Sequence, residues 1–380
     1  MLTEQYLNEN YELRYNTLSK KVEVRERKEG SLFEPLSEKK RNTMVRKVKL
    51  ELEAVTNVKQ NVQEYLDSED IEQYDPIRDW LMELPKWDGQ NRVTELFARI
   101  PGISAEQVYW CSIWLRSAVA HWLGMDTLHG NECVPTLIGD QGCGKSTFCQ
   151  RLLAPHLRCY YLDHFNLGNK FDKEMALTNN LLVNLDELEQ IKAGKQAELK
   201  QALSKTKVNG RPIYGREQQD RSRYASFVAT TNNRHPLQDP TGSRRYLCIC
   251  IPQGMLIDND TPIHYEQLYA QVVEELKEKQ LRYWFNNEET RQIQEHNLQF
   301  HAEQDLGLML EACFRHAEKG EDAKMVSLKA IVGTLESQFP QIRKSHAFSV
   351  HLGKKLKELG YEQKYHKGIS CYNVVPLKVA

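Results

Sequence analysis

The sequence predicts an α/β protein: a core with a mainly parallel sheet, a helical region ahead of it, and a small unit of helices and a hairpin behind it. Three observations predict this. Between residues 134 and 251 the short apolar runs VPTLI, CYYL, NLLVNLD, YASFVATTN and YLCICI alternate with helical and loop segments, the pattern of a parallel sheet with crossovers. Ahead of them, SAEQVYWCSIWLRSAVAHWLG opens with Ser104 and has Gln107 three residues on, a capping box leading into a helix with a buried face. Behind them, DLGLMLEACFRHAE, SLKAIVGTLESQF and SVHLGKKLKELG show helical apolar spacing, and the last stops at Gly360.

In chain order, residues 1–75 are polar and charged, and LRYNTLSKKVEVRER predicts a strand, a turn at 17–20 and a second strand. Residues 76–130 predict the helical region, where WDGQNRVTELFARIPG places turn residues before an apolar-periodic run. Residues 131–290 predict the sheet-bearing core, which HYEQLYAQVVEELKEKQLRYWF closes as one long amphipathic helix. The polar, helical stretch 286–304 marks a boundary. Residues 300–380 predict a separate domain, in which YEQKYHKGISCYNVV alternates around Lys367-Gly368 as a hairpin does. Three helices and a terminal hairpin predict a winged-helix-like unit.

Composition narrows the function classes. The 380 residues are 40% hydrophobic and 27% charged and contain no 18-residue apolar run, so no membrane span is expected. MLTEQYLNENYELRYN lacks the apolar centre of a secretory signal. Nine cysteines without a metal-type CxxC pair predict free thiols and a cytoplasmic location. Net charge is −1, yet 192–223 holds nine Lys/Arg against three Asp/Glu, and 20–50 holds eleven against five. Such stretches can offer local surfaces for phosphates.

The sharpest signal is Gly139-Asp-Gln-Gly-Cys-Gly144-Lys145-Ser146, a full G-x-x-x-x-G-K-[ST] match between a strand and a helix. Gly139, Gly142 and Gly144 let the backbone curl so that successive N–H groups face an anion. A helix N-terminus adds partial positive charge. Asp140, Gln141, Cys143 and Thr147 complete the loop expected to hold ATP, with Lys145 reaching the β- and γ-phosphates and Ser146 offering its hydroxyl to Mg²⁺.

Hydrolysis needs a carboxylate for the metal and one for water. NLLVNLDELEQ supplies both at a strand tip: Asp186 is expected on Mg²⁺ and Glu187 on the water. YASFVATTNN ends in an amide suited to a γ-phosphate and a water at once, Asn232, with Asn233 as the alternative. In PTGSRRYLCICI, Arg244 and Arg245 stand after the last core strand, where one could act as a finger on a neighbouring subunit's nucleotide or pair internally with a carboxylate.

The ordered set GDQGCGKS, LVNLDE, ELKQALSKTKVNGRPIYGREQQDRSR, FVATTNN and GSRRYLCI resembles the virulence-associated protein E family, phage- and mobile-element-borne ATPases similar to superfamily 3 helicases of the AAA+ group. LRYNTLSKKVEVR resembles the segment before that family's ATPase core, so the resemblance covers about residues 10–285. Many relatives carry an N-terminal primase, for which these 380 residues are too short, so none is expected within them. The resemblance implies a P-loop NTPase core, a hexameric homo-oligomeric ring with nucleotide at subunit interfaces, and a pore-facing hairpin between the DE and TTNN strands. Lys205, Lys207, Arg211 and Arg216 alternate with small and polar residues around Asn209-Gly210, a turn signal, and Tyr214 could stack on a base of single-stranded DNA.

The expected activity is therefore a DNA-dependent ATPase, a replicative helicase working with replication proteins of the host or element. The alternatives are an ATP-gated regulatory or defence switch, and a replication-initiation scaffold that does not unwind DNA. A small-molecule kinase is disfavoured because no second substrate pocket or lid motif is evident. A GTPase is disfavoured because no N-K-x-D motif follows a strand.

Overall fold

The computed structural model describes residues 2–125, 129–188, 191, 195–210, 219–237, 243–301, 306–316, 324–339, 342, 346–366 and 368–377. The chain forms two compact units, Met1–Phe300 and His301–Ala380. Among the described residues no helix is long and apolar enough to cross a membrane.

The first unit opens with α1 (Leu2–Asn10), β1 (Tyr11–Asn16) and β2 (Lys21–Glu26), then β3 (Glu34–Pro35), α2 (Glu38–Glu51), α3 (Val58–Leu66) and β4 (Glu72–Tyr74). The strands lie in the order β3-β2-β1-β4, with β1 and β2 antiparallel across the turn expected at 17–20. Three helices accompany the expected strand pair. They bury Leu7, Met44, Val48 and Val62 against Tyr11 and Val24, so a highly charged segment still has an apolar core.

α4 (Arg78–Met82), α5 (Arg92–Phe97) and α6 (Ala105–Leu123) follow. Ser104 and Gln107 make the reciprocal capping box at α6, and Trp110, Trp114 and Trp122 are buried along it. The central sheet comprises β5 (Val134–Ile138), β6 (Tyr161–Leu162), β7 (Leu182–Asp186), β10 (Ser226–Thr231) and β11 (Tyr246–Cys250). Between them run α7 (Lys145–Arg151), α8 (Lys170–Asn179), α9 (Gln196–Ser204) and the strand pair β8 (Lys207–Gly210) and β9 (Gln219–Ser222). The spatial order is β11-β5-β10-β7-β6, every pairing parallel. Alternation along the strands sends Leu137, Val228 and Leu247 to the α6 side, and Ile138, Val183, Phe227 and Cys248 to the side packed with α8 and α9. Both faces are covered, which is why these strands read as continuous apolar runs.

Two expectations need correction. Asn209 and Gly210 are not a turn: they pair with Asp220 and Gln219 in the β8–β9 ladder, because pairing across eleven and nine residues moves the connection to 211–218. The long helix after the sheet, α10 (Tyr265–Lys277), ends eight residues short of Phe285. Gln280 adopts a left-handed backbone (φ 51°), and the Lys279 and Leu281 N–H groups fold back onto the carbonyls of Glu274 and Glu275 at 3.1 and 2.8 Å. α11 (Asn287–Asn297) then starts with its own capping box, Asn286 with Glu289.

The second unit runs α12 (Leu306–Cys313), β12 (Phe314–Arg315), β13 (Lys324–Ser327), α13 (Leu328–Gln338), α14 (His346–Glu358), β14 (Gln363–His366) and β15 (Ile369–Pro376). β15 pairs antiparallel with β12, β13 and β14. Leu310, Phe314, Ile331, Leu335, Leu352, Leu356, Tyr372 and Val374 form its separate core.

Candidate nucleotide-binding site

The site is built at the carboxyl ends of the parallel strands, the edge where open α/β sheets gather ligands. Gln141, Gly142, Gly144, Lys145, Ser146, Thr147, Asp186, Glu187, Thr231 and Asn232 line one cleft of 370 Å³. Two glycines are required by the curl that shapes it: Gly142 has φ 81° and Gly144 φ 90°. A Cβ on Gly144 would also lie 2.5 Å from the Asn259 amide nitrogen. The N–H groups of Lys145, Ser146 and Thr147 open α7 and have no helical acceptor.

Lys145 is buried, and its Nζ donates to Gly139 O at 2.7 Å, Asp140 O at 2.8 Å and Asn232 Oδ1 at 2.9 Å, with Cys143 Sγ at 3.7 Å. All of these partners are uncharged. None of them neutralises the ammonium at the wall of the cleft.

Opposite it, Asp186 Oδ1 accepts from Thr230 Oγ1 at 2.5 Å, and Thr230 Oγ1 accepts from the buried Asn184 Nδ2 at 3.2 Å. This relay aims the carboxylate. Neither Asn184 nor Thr230 was singled out from the sequence, although a polar Asn in the middle of NLLVNLD was a readable signal. Glu187 follows in a left-handed conformation, φ 49°, uncommon for a residue with a Cβ and found preferentially at functional sites. The turn carries its side chain off the strand line at the cleft's edge.

A strap after β11 holds the loop from outside: Ile257 N donates to Cys143 O and Asn259 Nδ2 to Gly144 O, both at 3.0 Å. Both carbonyls are thereby turned away from the cleft. Asp140 and Arg234 stand 3.9 Å apart at the exposed rim.

This donor set fits a triphosphate: a curled backbone, unpaired N–H groups and an ammonium held by neutral acceptors. The Ser146 hydroxyl and Asp186 carboxylate, both on the cleft, fit a hard oxygen-seeking cation such as Mg²⁺. Among the described residues no group of three His, Cys, Asp or Glu gathers around a metal position. Burial pushes the Cys111, Cys149 and Cys248 thiols up and Cys133 up to about 12, which keeps these four in the unreactive thiol form.

The virulence-associated protein E-like domain family matches residues 81–302. The chain belongs to this family. None of the curated proteins matches it. Among solved structures, "The apo structure of NrS-1 C terminal region (305-718)" is similar at TM-score 0.45 and 12% identity, covering 99% of this chain and 98% of that one. "The A form apo structure of NrS-1 C terminal region-CTR" is similar at TM-score 0.44 with the same identity and coverage.

The remaining expected residues of this virulence-associated protein E-like chain lie elsewhere. Arg244 and Arg245 do not follow the last core strand: they precede it, in a 3-10 turn before β11. Because β11 runs parallel to β5 with Tyr246 opposite Val134, they sit at the amino edge of the sheet, away from the cleft. Arg245 is 3.4 Å from Glu132 and donates to Ser204 Oγ at 3.2 Å, whereas Arg244 is exposed. Lys205 ends α9, and Lys207 opens β8 opposite Ser222. Arg211, Tyr214 and Arg216 lie outside the described residues. Asn169-Lys170-Phe171-Asp172 does spell N-K-x-D, correcting the reading that none follows a strand; there Asn169 Oδ1 caps α8 by accepting from Phe171 N, and Asp172 accepts from Asn166 Nδ2.

Proposed function

We propose that this chain is the ATP-hydrolysing motor of a phage or other mobile genetic element: a P-loop NTPase with an AAA+/superfamily 3 helicase-like core that works as a replicative helicase, assembles as a hexameric ring on single-stranded DNA, and carries a winged-helix-like unit at its end. The observation that carries this reading is the single cleft shared by the phosphate loop, the Asp186–Glu187 strand tip and Asn232.

On this reading Lys145 exchanges the carbonyls of Gly139 and Asp140 for phosphate oxygens while keeping Asn232, which sets the amide beside the γ-phosphate. Ser146 and Asp186 would hold magnesium, which would supply positive charge against the charge developing on the transferred phosphoryl group. Glu187 accepts the proton of the attacking water. Arg244 is the better finger, because Glu132 and Ser204 already hold Arg245. The five residues of β5 put roughly 16 Å between Arg244 and its own cleft at about 3.3 Å each. A neighbouring subunit's nucleotide is the target that geometry leaves. Lys205 and Lys207 stand at the foot of the β8–β9 pair; with them Arg211 and Arg216 would follow the DNA backbone, and Tyr214 would stack on a base.

The test is the ATPase rate with and without single-stranded DNA, alongside mass measurement with and without nucleotide. Expected are magnesium-dependent hydrolysis, stimulation by DNA, nucleotide-favoured oligomers, and loss of stimulation alone in Lys205→Ala/Lys207→Ala. Hydrolysis that ignores DNA would leave a switch rather than a motor; no magnesium-dependent ATP binding would remove both.

A further inference from the structure

A second pocket, of 230 Å³, lies at the amino edge of the central sheet, away from the cleft. It is enclosed by the segment leading into β5, the turn before β11 and the link between α10 and α11.

Aromatic rings line it. His129 and Trp284 stack with 4.3 Å between ring centroids, 11° from parallel. Tyr283 stands perpendicular to both, 5.0 Å from Trp284 and 6.3 Å from His129. Tyr283 and Phe285 pack against the main core, whereas Trp284 between them stays 38% exposed. The three tryptophans of α6 are at most 2% exposed. Trp284 is thus anchored by its chain neighbours, with its indole kept out of the core.

The same pocket is lined by Arg244, Arg245 and Glu132. Arg245 lies 3.4 Å from Glu132 and donates to Ser204 Oγ, yet its Nε is buried and, among the described residues, donates to nothing. A buried N–H without an acceptor is costly, and beside a pocket it marks a position for a ligand atom. Glu132 takes up the Arg245 charge, so the exposed Arg244 is the lining cation left for an anion.

We propose that this pocket binds one nucleotide unit, its base extending the His129–Trp284 stack and its phosphate resting on Arg244. A flat ring surface accepts any base by stacking, and a planar guanidinium suits a phosphate bidentately. Bases carry ring-nitrogen and carbonyl acceptors on their edges, which suit the unpartnered Arg245 Nε. The volume falls below the roughly 300–1,000 Å³ of drug-sized sites, so it takes one ring system and not a base with three phosphates. A free mononucleotide and a nucleotide within a single strand share this chemistry. Arg244 is also the finger proposed above, so filling the pocket would withdraw it from a neighbour's nucleotide. That consequence rests on the finger reading; binding itself does not.

The test titrates AMP into the full chain carrying Lys145→Ala, which disables the cleft, and follows binding by calorimetry. AMP supplies a base and one phosphate but neither of the phosphates that Lys145 would reach. Saturable binding of one AMP per chain is expected, weakened at least tenfold by Trp284→Ala or by Arg244→Gln and largely kept by Trp284→Phe, which retains a ring. With Lys145 restored, Trp284→Ala is expected to leave ATP binding at the cleft intact, so the two sites fail separately. Displacement of AMP by a short oligothymidylate would identify a single strand as the source of the nucleotide. AMP retained beside the oligothymidylate would identify a free mononucleotide, and either outcome supports the pocket. The proposal would be overturned by the absence of saturable AMP binding, or by unchanged affinity in Trp284→Ala at an unchanged melting midpoint. It would equally be overturned by ribose 5-phosphate or N-acetylphenylalanine binding as tightly as AMP, since a phosphate alone, or any ring with a carboxylate, would then suffice.

Discussion

Lys145 and Arg223 are both buried cations held by neutral oxygens, yet they do opposite things. Arg223, 2% exposed, donates to the carbonyls of Ala225 at 2.8 Å, Leu203 and Lys205 at 2.6 Å each, and Asn131 at 3.1 Å. Burial pushes it down to about 10, which still leaves the guanidinium charged at neutral pH. Its fork staples the end of α9, the start of β10 and the segment before β5. Lys145 is held by three oxygens on one side and faces a 370 Å³ cleft on the other. A buried charge enclosed on all sides is structural, whereas one with an open side is set for an anion.

The largest expected effect tests the enclosed charge. Arg223→Met leaves four buried carbonyls without a donor and is expected to cost about 3–5 kcal/mol in urea unfolding. Arg223→Lys should recover only part of this, since an ammonium cannot span the same four acceptors. A loss under about 1 kcal/mol would mean that neighbouring groups or water satisfy those carbonyls and that the staple is redundant.

Next comes Lys145→Ala. ATP affinity is expected to fall at least a hundredfold, about 2.7 kcal/mol, with the urea midpoint almost unchanged. Gly139 O and Asp140 O then open to the cleft and to water, so little folding energy is at stake. A stability loss comparable to that of Arg223→Met, with ATP binding retained, would collapse the distinction between the two cations.

The sequence makes one of these cations obvious and hides the other, for physical reasons. Lys145 sits in a glycine pattern whose backbone demands are local, so spacing alone reveals it. Arg223 is one basic residue among nine in a charged stretch, and the groups that enclose it come from 131, 203, 205 and 225. The core strands were legible because both of their faces are covered. α2, EKKRNTMVRKVKLE, was not, because only Met44, Val45 and Val48 are buried and its other residues read as a solvated segment. The Asn209-Gly210 dipeptide misled for the converse reason: a strong local turn preference was overridden by strand pairing. The Ile257–Asn259 strap lay furthest from view, since Asn259 meets Gly144 across 115 residues with no periodicity to announce it.

That strap supplies the smallest effect and the finest test of the contrast. Asn259 does not itself line the cleft or bond the Lys145 ammonium; it holds the O of the lining residue Gly144 at 3.0 Å and so fixes the curl from behind. Asn259→Ala removes about one hydrogen bond, a net of about 1 kcal/mol. If the strap positions the loop, that loss appears as a rise in KM for ATP of about fivefold, with kcat within twofold and the urea midpoint little moved. Asn259→Asp should behave like Ala, because a carboxylate cannot donate to a carbonyl, while Asn259→Gln, which keeps the donor on a longer stem, should recover part of the affinity. An unchanged KM with a lowered urea midpoint would place Asn259 with Arg223, as a residue that holds the fold rather than one that shapes the phosphate loop.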